Sequence, residues 1–577
     1  MRTRRPGARE SRTMERFRSN GMIRKPQRLG AVVPGEAAAA PARRGSVLIA
    51  VLVVVAGLSL ATYAFTYLLL AEATGAQAFA EAAEARQAAE SGIATVVAAL
   101  YEDTPPEERN LYHDPARFQS IPVDGLTETG PRFSVVATDQ GGEGDAPAAV
   151  RFGLTDLSGR LNLNTLLQLP VESEEMRREY LMYIPNMTPE LADAILDWLD
   201  EDDQVREFGA ERDDYLALPT PYERTTNGGL KSLDELLLVM GVTPELLYGE
   251  DANRNGRLDP NEDDGDQRPP VDNADGVLDR GWAAYLTVSS AERNVRSDGT
   301  ERINVNHTVM TELYDALEAE FGEDVARFVV AYRLYGPAGG QDGTATVGSG
   351  STGTAGGSRA AAQLGSALGQ ALAGGGNARI TRGGLDLSRP ASTQIRSLFD
   401  LVGATVEAEV DGVQTELQSP FPDDPNYLQG DFLTVLDALT TTDQSRLVGR
   451  INPATAPYEV LMSIPNMTED LAGAIAAAQV DPADPTAAAD RQLARRNPAW
   501  PYIEGLATLE QMRAIGPYIT GGGDVFEGQV IGVSGSGRIV CRLLFTVDAS
   551  ESAPRILDRL DLTPLGPGIP LTLLQTR

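Results

Sequence analysis

The residues best suited to chemistry lie in one short acidic stretch, Asp251-Ala252-Asn253-Arg254-Asn255-Gly256-Arg257-Leu258-Asp259-Pro260-Asn261-Glu262. Calcium takes six to eight oxygen ligands, and a twelve-residue loop supplies them from fixed positions. Asp251, Asn253 and Asn255 hold the first, third and fifth positions, and Arg257 offers a backbone carbonyl at the seventh. Asp259 stands at the ninth, where the contact often runs through water, and Glu262 at the twelfth. Gly256 supplies the sharp turn, and Leu258 the apolar residue that tucks inward. The pattern predicts calcium binding, and the competing reading is a solvated acidic loop. A weaker second site follows at Asn273, Asp275 and Asp279, with Gly276 at the turn. It lacks a ligand at its first position, Val271, and at its twelfth, Trp282.

Other clusters carry less. The run Asp197-Trp198-Leu199-Asp200-Glu201-Asp202-Asp203 could supply a paired acid and base, but dense acidic runs usually form solvated surface or cation ligands. His113 and His307 are far apart, and Cys541 is the single cysteine, so neither a zinc site nor a disulfide framework is expected. The sequence shows no nucleophile elbow and no phosphate loop, so the chain reads as a non-enzyme. A net charge of −33 excludes nucleic acid as a partner, because phosphate binding needs a basic surface.

The elements that must position the loop begin with an uncharged run from Val47 to Ala71. It exceeds the ~7–15 residues of a signal-peptide core and, as a helix, is long enough to span the ~30 Å hydrocarbon layer. Arg2, Arg4, Arg5, Arg9, Arg12, Arg16, Arg18, Arg24, Lys25, Arg28, Arg43 and Arg44 precede it, against Glu10, Glu15 and Glu36. Basic residues stay on the cytoplasmic side, so the acidic remainder is exported. Ala71 to Leu100 is rich in alanine and glutamate without proline, which predicts that the helix continues beyond the membrane.

Beyond it, Arg132–Ala137 and Val150–Leu154 alternate as strands and predict a hairpin, as do Gly528–Val533 and Arg538–Val547 around Gly535-Ser536-Gly537. Between the two strand regions, phrases repeat. Arg160-Leu161-Asn162-Leu163-Asn164 returns as Arg302-Ile303-Asn304-Val305-Asn306 and as Arg450-Ile451-Asn452-Pro453. Ile184-Pro185-Asn186-Met187-Thr188 returns as Ile464-Pro465-Asn466-Met467-Thr468, each resembling a helix-hairpin-helix unit with asparagine in the tight turn. Asparagine tolerates the left-handed conformation better than most residues. Shorter cousins follow at Leu233–Val242 and Leu509–Pro517. Residues 336–378 are dominated by Gly, Ala, Ser and Thr and read as a linker.

Arg44-Gly45-Ser46 before the apolar run resembles the leader junction of type IV pilins and pseudopilins, which are cut on the cytoplasmic side. The cut would fall between Gly45 and Ser46. Most members of that class carry a glutamate at the fifth mature position, and here it is Ala50. Together with Asp156–Asn164, Asp197–Asp200 followed by Gly209–Tyr215, Ser232–Leu236 and Ile451-Asn452…Thr455-Ala456-Pro457, these residues resemble the K-type minor pseudopilins of type II secretion systems. That resemblance implies an α+β fold: a long N-terminal transmembrane helix and a pilin-like antiparallel sheet domain with a large inserted all-helical domain. It also implies calcium, a place at the filament tip beside other minor pseudopilins and the major pseudopilin, and processing by a prepilin peptidase. The predicted divisions are a cytoplasmic leader (1–45), the long helix (46–105) and the first part of the pilin-like domain (106–165). A helical insertion with the calcium loop (166–300), an extra repeat module (301–335) and the linker (336–378) come next. A second hairpin module with the C-terminal strands (379–577) closes the chain. The location expected is the inner membrane, in contact with its lipid, with the large C-terminal part in the periplasm. The alternatives are a single-pass anchored periplasmic calcium-binding structural protein and a minor pilin of a related type IV pilus.

Overall fold

The computed structural model describes residues 46–101, 110–123, 130–139, 150–169, 173–222, 228–338, 380–480 and 495–574. The leader, with Gly45, and residues 339–378 of the expected linker lie outside them. The chain forms two compact units, Met1–Thr74 and Gly75–Arg577.

In the first unit, helix α1 (Ser46–Tyr101) begins at the residue after the predicted cut. Its apolar side chains are exposed, Leu48 by 73% and Phe65 by 61%, as suits a surface for lipid. The hydroxyls of Thr62, Thr66 and Thr74 donate to the carbonyls of Leu58, Thr62 and Leu70 at 2.8, 2.9 and 3.0 Å. The polar groups are thus satisfied within the helix, which hydrocarbon requires.

In the second unit α1 continues to Tyr101 and packs on an antiparallel sheet. Its strands are β1 (Ile121–Pro122), β2 (Arg132–Val136), β3 (Thr155–Asp156), β4 (Val525–Val533), β5 (Val540–Asp548) and β6 (Arg555–Asp561). The order is β1-β2-β4-β5-β6, with β3 also on β4. Small residues let helix and sheet approach. A methyl group on Gly532 would lie 2.1 Å from the Ala85 carbonyl oxygen, and one on Gly92 would lie 2.4 Å from Val530. Ala85, Ala88 and Ala89 are fully buried beneath them, beside Phe133, Val135 and Ile531. The β4–β5 hairpin forms as the sequence predicts. The hairpin expected between residues 132–137 and 150–154 does not form. Both edges of β2 are occupied, by β1 and β4, so Val150–Leu154 is left with single bonds such as Ala137 N–H to the Arg151 carbonyl at 3.0 Å.

The described residues between β3 and β4 form an insertion whose core runs from Leu161 to Ile519. The repeated phrases are repeated structures. Leu161-Asn162 pairs in parallel with Leu286-Thr287, Ile303-Asn304 with Leu439-Thr440, and Ile451 bridges Ile519 in parallel. In each, the first asparagine side chain accepts from the backbone N–H two residues on, at 3.1, 2.8 and 3.0 Å for Asn162, Asn304 and Asn452. In the first two units a second asparagine ties the unit shut. Asn164 donates to the carbonyls of Leu230 and Val288, and Asn306 to those of Ile395 and Thr441. Residues 301–335 therefore share the insertion's core and supply part of the middle unit, which residues 439–440 complete.

The helix pairs Glu174–Met182 with Pro189–Leu199 and Tyr458–Met462 with Glu469–Ala478 flank Asn186 and Asn466, at φ 59° and 66°. Thr188 and Thr468 cap the second helix of each pair by accepting from Leu191 N–H and Leu471 N–H.

Candidate metal site

Residues 250–280 form an excursion from the first unit of the insertion. Gly249 (φ 60°) and Gly281 (φ 56°) pinch its base, where a methyl group on Gly249 would lie 2.2 Å from the Asp279 carbonyl oxygen. Both positions need a left-handed backbone and no side chain.

The loop 251–262 folds around its own carboxylates. Asp251, buried, accepts from the N–H groups of Asn255 and Gly256 at 2.9 and 2.8 Å. Gly256 (φ 69°) makes the predicted turn, and Arg254 is also left-handed (φ 58°). Asp259 accepts from the side-chain amides of Asn253 and Asn255 at 2.6 and 2.9 Å, and its N–H donates to Glu262 at 3.0 Å. Glu262 is 1% exposed; burial, then the charges of Asp251 and Asp259, push its carboxyl up to about 7. Burial also raises the Asp251 carboxyl, against the pull of the two amides.

Two buried oxygens of the set, Asn253 Oδ1 and Glu262 Oε1, have no hydrogen-bond partner among the described residues. Such oxygens cost free energy unless something binds them. Three carboxylates, two amide oxygens and the Arg257 carbonyl are a donor set suited to a hard divalent cation. The carboxylate oxygens of the loop are not drawn tightly together. Among the described residues, the group that brings one carboxylate oxygen from each of three residues within 4.8 Å of one another is Asp197, Asp200 and Glu211.

That other cluster accounts for the acidic run. Asp197 is fully buried and accepts from Arg206 Nη1 at 2.6 Å, and Asp200 receives the same nitrogen at 2.5 Å. Gly209 is fitted against it, since a methyl group there would lie 1.9 Å from the Asp197 carboxylate. Asp193 holds Arg178 through two bonds of 2.7 and 2.8 Å. These carboxylates build a turn with their own arginines, while Glu201, Asp202 and Asp203 remain exposed.

In the weaker second loop the side chains of Asn273, Asp275 and Asp279 each accept from a backbone N–H two residues on. Trp282, its twelfth position, is buried and donates to the Pro185 carbonyl at 2.8 Å. Residues outside the motif support it: Glu250 accepts from Asn273 N–H and Asp279 N–H, and Asp272 from Asp264, Gly265 and Ala274.

Residues distant in sequence also hold the first loop. Gln529 of β4 donates to the Arg254 carbonyl, Arg542 of β5 donates to the Asn253 carbonyl, and Asn255 donates to the Gly568 carbonyl at 2.8 Å. No local signal marks Gln529 or Arg542, because their roles depend on how the sheet meets the loop. The Arg254 guanidinium lies 3.7 Å over the Tyr248 ring. At the membrane end, Ala50 sits exposed within α1.

A membrane-length apolar helix that continues onto an antiparallel sheet, with a large insertion between β3 and β4, defines a pilin-like α+β chain. Residues 159–248 match the family model of type II secretion system (T2SS), protein K. Among solved structures, the crystal structure of the GspK-GspI-GspJ complex from the enterotoxigenic Escherichia coli type 2 secretion system is similar at 13% identity. The match covers 85% of this chain and 99% of that one at a TM-score of 0.30. No curated protein matches the chain.

Proposed function

We propose that this chain is a minor pseudopilin, that it stands at the tip of the type II secretion pseudopilus and that it helps initiate its assembly for export across the outer membrane. A prepilin peptidase cuts between Gly45 and Ser46. The helix stays in the inner membrane and Gly75–Arg577 lies in the periplasm, as the basic leader favours.

The observation that carries the reading is Ala50. A carboxylate within lipid is expensive and is kept where it has a partner. A subunit with no neighbour beyond it has no such partner at its fifth mature position, and Ala50 in an uncharged helix fits that vacancy. The insertion from Leu161 to Ile519 supports the same place, since so large a body on one edge of a pilin sheet is accommodated at a filament end.

The partners proposed are other minor pseudopilins and the major pseudopilin. Calcium is the cation proposed for Asp251, Asn253, Asn255, Arg257, Asp259 and Glu262; Asn273, Asp275 and Asp279 are a weaker second candidate. Bound there, it would supply positive charge to three clustered carboxylates and tie down the excursion 250–280.

Co-expression with the minor pseudopilins of the same secretion system tests the tip reading. A stable complex of defined stoichiometry, and no initiation of filaments when the chain is deleted, is the expected result. Filaments that form normally without it, or a chain incorporated along their length, would refute the tip position. Titration calorimetry on chelator-treated protein tests calcium.

A further inference from the structure

The insertion meets the sheet at the metal loop through an arginine with an unusual environment. Arg542 on β5 is fully buried, and Asp251 and Asp259 act on it through charge rather than through a hydrogen bond. Its guanidinium donates to two carbonyls, Asn253 in the loop and Gly566 (3.4 Å) in the C-terminal segment, and its Nε has no partner. Gly568 (φ 70°) is fitted against it, since a methyl group there would lie 2.1 Å from Nη1. A buried guanidinium without an anion is costly unless charge is balanced nearby.

Asp251, Asp259 and Glu262 bring three negative charges to the loop. A divalent cation would bring two positive charges, and Arg542 adds positive charge beside Asp251, together with Arg280. The other contacts converge on the same seam. Gln529, 3% exposed on β4, donates to the Arg254 carbonyl, and Asn255 donates to the Gly568 carbonyl. Asn253, Arg254 and Asn255 are thus consecutive loop residues held by β5, by β4 and by the C-terminal segment.

We propose that loop 251–262 is a cation-dependent joint that locks the helical insertion onto the pilin sheet, with Arg542 as the positioning residue that ties β5 to the Asn253 carbonyl and Gln529 as its second anchor. The proposal rests on the calcium reading above. With the cation bound, the loop carbonyls are fixed where Arg542 and Gln529 reach them. Without it, excess buried negative charge loosens the loop, and the sheet and C-terminal segment lose those contacts.

Hydrogen exchange on the full mature chain in detergent micelles, in calcium and in chelator, tests the joint, with calorimetry on the same samples reporting binding. Calcium is expected to slow exchange about tenfold in the loop, in β5 and in Thr563–Leu574 alike. Protection confined to the loop would overturn the joint and leave the calcium reading standing. No heat of binding would remove that reading and the joint with it. In Arg542→Met, calcium is expected to bind but to leave Thr563–Leu574 unprotected, and retained protection there would overturn the role of Arg542. Should that variant fail to fold, Gln529→Met examines the same joint from β4. Loss of calcium-dependent protection in β4, with the loop still protected, is expected, and an unchanged pattern would overturn the proposal.

Discussion

Gly532→Ala tests the packing of α1 on the sheet, the feature that makes the second unit pilin-like. The added methyl would lie 2.1 Å from the Ala85 carbonyl oxygen and 2.5 Å from the Ala89 nitrogen, both backbone atoms of a rigid helix. Ordinary contact begins near 3.4 Å, so helix and strand must separate by about 1 Å. Neither can rotate a side chain out of the way, and the shift would open space around Val530, Phe133 and Ile93. Overpacking of this kind costs about 1–3 kcal/mol. At about 2.1 cal/mol/K per residue over the unit Gly75–Arg577, each kcal/mol moves the midpoint by about 1 °C, so it should fall by about 1–3 °C. Gly473→Ala is the control: it lies inside the helix Glu469–Ala478 with nothing within 4 Å of the new methyl. Alanine there should be neutral or stabilise by about 0.5–1 kcal/mol. Gly92→Ala should fall between them, because its nearest atoms belong to the side chains of Val530 and Phe133. Thermal unfolding of the three variants, followed by circular dichroism at one detergent concentration, gives the comparison. Equal midpoints for Gly532→Ala and Gly473→Ala would refute the close helix–sheet contact.

Further outcomes follow from other sites. Asn186→Ala and Asn466→Ala should each cost about 1–2 kcal/mol by forcing alanine into the left-handed region, whereas the glycine variants should be close to wild type; denaturant midpoints decide. Asn164→Ala should destabilise by about 1–3 kcal/mol, since it strands the Leu230 and Val288 carbonyls, and Asn306→Ala should do the same for Ile395 and Thr441. Ala454 occupies the corresponding position of the third unit, where it bonds only through its backbone. Glu262→Gln should weaken calcium binding at least tenfold in calorimetry by removing the buried twelfth-position carboxylate. At calcium concentrations near 100 times its dissociation constant, the ion should stabilise the wild type by about 2.7 kcal/mol and this variant much less.

Local chemistry was legible in the sequence where local forces decide the structure. The uncharged run of α1, the β4–β5 hairpin, the left-handed turns at Asn186 and Asn466, and the loop turn at Gly256 each depend on a few neighbouring residues. The phrase Leu161-Asn162, repeated at Ile303 and Ile451, was visible as an echo, but its meaning as a strand closed by a distant parallel partner was not. Those partners, such as Thr287 and Thr440, carry no matching local signal. The same reason hid the true neighbour of β2. Alternation marks Arg132–Val136 as a strand, but only tertiary packing brings β4 to it across nearly the whole insertion. The acidic run at Asp197 looks like surface in sequence because its arginine, Arg206, lies outside it. Loop 251–262 declares its ligands, yet its attachment to Gln529 and Arg542 emerges only when the sheet is assembled.

The central claim is that this chain is a pilin-class subunit processed at the membrane, and the mass of its mature amino terminus tests it most directly. Made in cells with prepilin peptidase, the chain should begin at Ser46, with the leader removed and the apolar helix retained. Without the peptidase the leader should remain. An uncut chain in both cells, or a cut beyond Ala71 that removes the helix, would contradict the account.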